Sequence, residues 1–146
     1  MPTVRGCQLP DELLYDVGNN IWYRENPDGT VTLGMTAVAA AMAGQLVAFT
    51  AKKAGRAVQA GKSSATIESG KWVGPAKIAF DAEVVVVNDG LTGTPKIAND
   101  DPYGEGWMVK VRPKDWAAAK AGLVPGTAVA APYEAKMTAD NFVGCA

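Results

Sequence analysis

Apolar residues in this chain gather into short runs separated by glycine, proline, asparagine and aspartate, a pattern that predicts strands joined by tight turns. Ile21 to Arg24 and Thr30 to Leu33 flank Asn26-Pro27-Asp28-Gly29, whose turn residues make the pair a hairpin. Further strands are expected at Leu46–Ala51, Ala65–Glu68, Ile78–Phe80, Val84–Val87 and Trp107–Val111. The helical period appears only briefly. Thr36 is placed to cap an alanine-rich helix running to Met42 and stopped by Gly44. Pro113 stands at a first helical position before Trp116–Ala121, with Gly122 as the stop, and Tyr133–Met137 reads as another short helix. Residues 1–20 are weakly patterned, and Pro10 to Leu14 could open one helical turn. Many short strands of this kind suggest a barrel or sandwich. The expected fold is mainly β, with short peripheral helices near residues 36–42, 114–121 and the C-terminus.

A length of 146 residues suits one domain, 1–146. Fourteen basic and fifteen acidic residues nearly cancel, so the concentrated positive patch of a nucleic-acid binder is missing. The most apolar stretch, Val38 to Ala51, contains Gly44 and Gln45 and reads as a helix then a strand, so no membrane association is expected. Met1 to Pro10 lacks an export signal, which makes the cytoplasm the expected location. The chain has no histidine, and this removes imidazole general bases, Ser-His-Asp and Cys-His arrangements, and imidazole metal sites. Chemistry must come from an attached group or a partner. Asp100, Asp101 and Glu105 do not match the spacing of a calcium loop. Cys7 and Cys145 fit no zinc or cluster motif. Three readings stay open for them: a disulfide if both termini meet, against which a reducing cytoplasm argues; redox thiols that accept sulfur or exchange with another disulfide; and two unremarkable cysteines.

Ser69-Gly70-Lys71-Trp72 has the composition of a turn between strands, which would present Lys71 to solvent at a hairpin tip. A lone exposed lysine is ordinarily just solvated surface. A prosthetic group on a swinging arm, however, needs a long stem, a rigid platform and a turn that displays the amine, and this hairpin offers all three. Glu68 lies close enough to serve as a recognition charge for an attaching enzyme, or simply to keep the hairpin soluble.

Five segments, in order, extend this reading. They are Val31-Thr32-Leu33-Gly34-Met35-Thr36 before the alanine-rich helix, Gly44-Gln45-Leu46-Val47, Glu68-Ser69-Gly70-Lys71, Val84 to Asn88, and Asn99-Asp100-Asp101-Pro102-Tyr103-Gly104-Glu105-Gly106-Trp107. Together they resemble the H protein of the glycine cleavage system and its lipoyl-bearing relatives, over a core of about residues 20 to 115. The resemblance implies a barrel-sandwich hybrid, lipoate in amide linkage to Lys71, and a carrier with no active site of its own. It also implies a lipoate ligase acting at the turn, where Glu68, Gly70 and Trp72 surround the attachment lysine, and dihydrolipoyl dehydrogenase among the partners. The family's turn has valine before the lysine and alanine after it, whereas this chain has Gly70 and Trp72. Trp72 is expected to form a platform for the dithiolane ring, to form a docking patch, or to fold back onto the sheet. The unusual turn, the Lys52-Lys53 pair and the terminal cysteines point toward the branch of lipoate-binding proteins that serves sulfur oxidation with a heterodisulfide-reductase-like complex. Service to the glycine cleavage enzymes, and an unmodified structural protein, are the alternatives. A monomer is expected, because a carrier must show its arm to several partners.

Overall fold

The computed structural model describes residues 3–145. Its first half contains β1 (Thr3–Val4), β2 (Cys7–Gln8), β3 (Leu14–Asp16), β4 (Ile21–Glu25), β5 (Val31–Met35), α1 (Ala37–Ala43), β6 (Leu46–Ala51), β7 (Ala57–Val58) and β8 (Ser63–Ser69). Then follow β9 (Val73–Lys77), β10 (Ala82–Val87), α2 (Asp89–Gly93), α3 (Ile97–Asp100), β11 (Val109–Pro113), α4 (Trp116–Ala121), β12 (Val124–Pro125) and α5 (Ala130–Ala139). A seven-stranded sheet has the order β12-β3-β4-β5-β11-β10-β7, and a three-stranded sheet has the order β6-β8-β9. The expectation of a mainly β fold with short helices holds.

The main core fills the space between these sheets. Tyr23, Leu33, Val84 and Val111 from the larger sheet meet Phe49, Ile67 and Ala76 from the smaller. In β8 the strand period sets the division: Ala65, Ile67 and Ser69 are buried while Thr66 and Glu68 are exposed. A second cluster covers the other face of β4, where Trp22 packs with Tyr15, Val38, Val129, Tyr133 and Met137. Both faces of β4 are therefore covered, which is why Ile21, Trp22 and Tyr23 form an unbroken buried run.

Three local expectations are corrected. Ile78–Phe80 is not a strand but an irregular crossing from β9 to β10. Ile78 and Phe80 are buried there, and the Ala79 N–H donates to the Tyr23 hydroxyl at 3.0 Å. Ile78 O accepts from the Gly61 N–H and the Ile78 N–H donates to Lys62 O, and burial of Ile78 and Phe80 outside any strand explains the apolar run. Pro113 ends β11 rather than opening a helix, because the Lys114 N–H donates to Asp81 O and keeps the chain at the sheet; Asp115 caps α4 instead. Residues 3–16 contain three strands, β1 to β3, whose brevity hides them from any periodicity.

The termini depart most from expectation. Cys7 and Cys145 are joined in a disulfide across 138 residues, so neither is a free thiol. The chain brings them together through the β1–β2 turn, where Arg5 and Gly6 have positive φ. The Cys145 N–H donates to Arg5 O at 2.9 Å, and the Arg5 guanidinium donates to Glu134, Thr138 and Phe142 O. Sequence spacing holds no record of this meeting.

Candidate functional site

β8 and β9 pair with Glu68 opposite Val73, and the chain reverses through Gly70 and Lys71. The Ser69 N–H donates to Trp72 O at 2.7 Å, closing the turn. The Ser69 hydroxyl accepts from the Lys71 N–H at 3.3 Å and donates to Trp72 O at 3.4 Å. Serine fits here because it is small enough to be buried and still satisfies two backbone groups. Gly70 is not among the residues with positive φ, and a Cβ at this position would meet open space. The turn geometry therefore places no demand for glycine at position 70.

Lys71 is exposed, but its stem does not simply stand in solvent. Its Cε lies 3.2 Å from where a Cβ on Gly44 would sit. Gly44 ends α1 with φ +78°, a conformation that favours glycine, and the missing side chain leaves the lysine stem a path over the helix end. Thr36 opens the same helix by accepting from the Ala39 N–H at 3.2 Å, as the sequence predicts; such a cap is worth about 1 kcal/mol.

The helix end is fixed from a distant part of the chain. Asn99, in α3, accepts from the Leu46 N–H at 2.8 Å and donates to Gly44 O at 2.8 Å and Ala40 O at 3.4 Å. One side chain thus ties α1, the Gly44 corner and the start of β6 into a single surface beneath Lys71. This residue was missed as a site residue. Its signal was present, since it opens the Asn99–Trp107 run. The rest of that run is a set of backbone supports: Pro102 O accepts from the Trp22 indole, Tyr103 O from Arg24, and Glu105 O and Trp107 O from Asn88. The Tyr103 hydroxyl donates to Gln8 O and accepts from the Ala37 N–H at 2.9 Å; desolvation by burial pushes its pKa up to about 12. Trp107 is half-buried just ahead of its strand, with the Lys110 ammonium 5.3 Å above its ring.

A cleft of about 650 Å³ opens beside Lys71. Ala39, Met42 and Ala43 of α1 form one wall, Trp72 and Pro75 another, and Asn19 and Asn20 of the β3–β4 turn close the far side over a floor that includes Ile21, Met35 and Ile67. The candidate residues separate here. Lys71 and Trp72 line the cleft, whereas Glu68 faces outward from the three-stranded sheet and Gly70 sits at the tip. Trp72 folds back along β9, and its ring occupies the space that a side chain on Gly74 would need. Met42, Val47, Trp72 and Val73 leave a band of exposed apolar surface near the hairpin. Among the described residues no group of three or more acidic, cysteine or histidine side chains could hold a metal ion, and no helix is long and apolar enough to cross a membrane.

The geometry suits a covalently carried group. An exposed primary amine stands on a closed two-stranded turn, its stem rests in a glycine corner, and a mostly apolar cleft adjoins it. The profile of the glycine cleavage H-protein family matches residues 13–136. The chain is 55% identical over 128 residues to glycine cleavage system H protein 5 of Aquifex aeolicus, covering 85% of this chain and 86% of the relative. It is 43% identical over 122 residues to glycine cleavage system H protein 2 of the same organism, covering 84% and 76%. The fold is similar to the crystal structure of a glycine cleavage system H protein from Mycobacterium marinum, with a TM-score of 0.74 and 29% identity over 88% of this chain and 98% of that one.

Proposed function

The chain belongs to the glycine cleavage H-protein family, and from that premise we propose that Lys71 is the residue whose amine carries lipoate and that its arm serves the glycine cleavage enzymes. Proteins of this family carry covalent lipoate on a lysine and have no catalytic activity of their own. The observation that carries the assignment is Lys71 itself, an exposed amine at the tip of β8–β9 with its stem on the Gly44 corner and a cleft beside it. The space and its apolar lining fit an acyl chain ending in a small sulfur ring.

Bound lipoate supplies a reversible disulfide that carries an intermediate between enzymes. The chain's own residues present it. Ser69 holds the turn, Gly44 lets the stem lie over the helix end, and Asn99 keeps that corner in place. Amide formation removes the positive charge of Lys71, which leaves an apolar stem beside an apolar cleft. Tethering then raises the local concentration of the group at each partner. Glu68 and the apolar band of Val47, Trp72 and Val73 supply a face for the lipoate ligase at this end of the molecule. We place this traffic in the cytoplasm, where the Cys7–Cys145 disulfide has to persist against a reducing environment, with dihydrolipoyl dehydrogenase reoxidising the arm.

The sulfur-oxidation role expected from the Gly70 and Trp72 turn finds no support in the relatives, whose names specify glycine cleavage. One observation keeps it as a second reading: relatives numbered 5 and 2 come from one organism, so a single cell holds more than one such protein. Intact mass of the protein from its native host, with fragmentation across Lys71, tests the assignment. A gain of roughly 190 Da on Lys71 is expected, and an unmodified lysine overturns the carrier reading. Turnover with purified glycine decarboxylase and bicarbonate then separates the two pathways, since a lipoylated protein inert in that exchange belongs to the second.

A further inference from the structure

We propose that Trp72 is a positioning residue for the arm, its indole forming the wall of the cleft against which a lipoyl group on Lys71 rests. The inference depends on Lys71 being the lipoylated residue. Trp72 directly follows Lys71, lines the same cleft, and keeps 42% of its surface exposed. A tryptophan at a hairpin tip could have stood free in solvent. Instead it lies over Gly74, whose backbone is not in the positive-φ region and so does not require glycine for its conformation. Glycine inside a strand is destabilising relative to alanine. What it provides here is space, because any side chain at position 74 would overlap the indole. The pair acts as one device in which Gly74 makes the seat and Trp72 occupies it.

With one part of the ring seated on the strand, the remainder faces the cleft beside Pro75 and across from Met42. An acyl chain and a dithiolane ring are apolar and polarizable, and an indole is the largest polarizable surface a side chain can offer them. Sulfur in particular makes favourable contacts at aromatic edges. The immediate neighbour of the attachment lysine is therefore the first surface such an arm meets. Resting there, the dithiolane is shielded from small reagents between transfers while staying free to leave for a partner.

The test uses fully lipoylated protein and measures how fast tris(2-carboxyethyl)phosphine opens the dithiolane to the dithiol as the phosphine is oxidised. Trp72→Ala is expected to raise that rate about three- to tenfold, with Trp72→Phe intermediate. Gly74→Ala should act in the same direction although the tryptophan is still present, because the methyl group unseats it. In unmodified protein the Gly74→Ala indole should become more accessible to acrylamide quenching. The emission change on reducing the arm should be present in the parent and absent in Trp72→Phe. Reduction rates within twofold of the parent in both Trp72→Ala and Gly74→Ala overturn the inference and leave the carrier reading standing. A native protein whose mass shows no lipoyl group on Lys71 overturns both.

Discussion

The two ends of this molecule are built on opposite terms. At the lysine end, a two-residue turn, an open cleft and exposed Met42, Val47, Trp72 and Val73 leave apolar surface uncovered. At the clasped end, a disulfide, the Arg5 ties to α5 and its following segment, and the buried Tyr15 and Tyr133 hold distant segments together. Helix α1 joins them. Its first turn lies under the clasp, where the Cys145 sulfur sits 3.6 Å from Ala37 O and the Ala37 N–H donates to the Tyr103 hydroxyl. Its last turn lies under Lys71. The contrast teaches that a carrier concentrates its rigidity behind the display surface, so that the arm can move without the platform moving.

Breaking the display end should remove function and spare the fold. Lys71→Arg is expected to abolish the lipoyl mass completely, with a melting temperature unchanged within about 1–2 °C, since the side chain is exposed and its pairing energy small. Breaking the clasp should do the reverse. Replacing Cys7 and Cys145 together by serine, or reducing the native protein, should cost up to about 5 kcal/mol on the chain-entropy account of a loop this long. Denaturant midpoints measure that loss, while the extent of lipoylation below the transition should stay unchanged. Equal losses of stability from both changes would erase the contrast.

Asn99 braces the display end from a distant part of the chain. Asn99→Ala leaves Gly44 O and the Leu46 N–H without their side-chain partner and should cost about 1–3 kcal/mol. It should also slow lipoylation, whereas a change of similar cost in the clasp should not.

Alkaline titration sharpens the same comparison. Burial raises the pKa of Tyr15, Tyr103 and Tyr133, to about 12 for Tyr103, so the folded state holds these phenols neutral where the unfolded chain ionises them near 10. Their contribution is complete below about pH 10 and is lost above it, for Tyr103 as the pH rises through about 12, because there the unfolded state has released protons that the folded state retains. Phenolate absorbance should therefore rise together with unfolding of the clasped end. The smallest effect is expected at Glu25, whose pKa is lowered by its hydrogen bonds from Lys120 and Trp116. A lowered carboxyl pKa stabilises above the unfolded value and loses that contribution as the pH falls through the folded one. Glu25→Gln should therefore remove part of the acid dependence and, for so exposed a pair, no more than about 0.5 kcal/mol at neutral pH.

How much of this could be read without coordinates differs between particular residues. Thr36 and Gly44 bounding a helix, the hairpin over Asn26-Pro27-Asp28-Gly29, and Leu46–Ala51 as a strand were all legible, because capping, turn and strand chemistry act between residues close in the chain. Lys71 at a tip was legible for the same reason. Asn99 was visible only as the start of an unusual run, with no hint that it reaches back 55 residues to Gly44. Trp72 left three outcomes open, and the structure shows its ring folded back over the strand in the space that Gly74 leaves free.

The order of residues by itself determined the many short strands, the turn that displays Lys71, and, through the lack of histidine, the exclusion of imidazole chemistry from the chain itself. Each follows from local conformational preference or from an inventory of functional groups. Tertiary structure alone decided that Cys7 meets Cys145, that Ile78 and Phe80 are buried outside any strand, and that the lysine stem lies in a glycine corner held by Asn99. Those are contacts between segments far apart in the chain, fixed by how two sheets close over one core, and no local pattern encodes a distance of that kind.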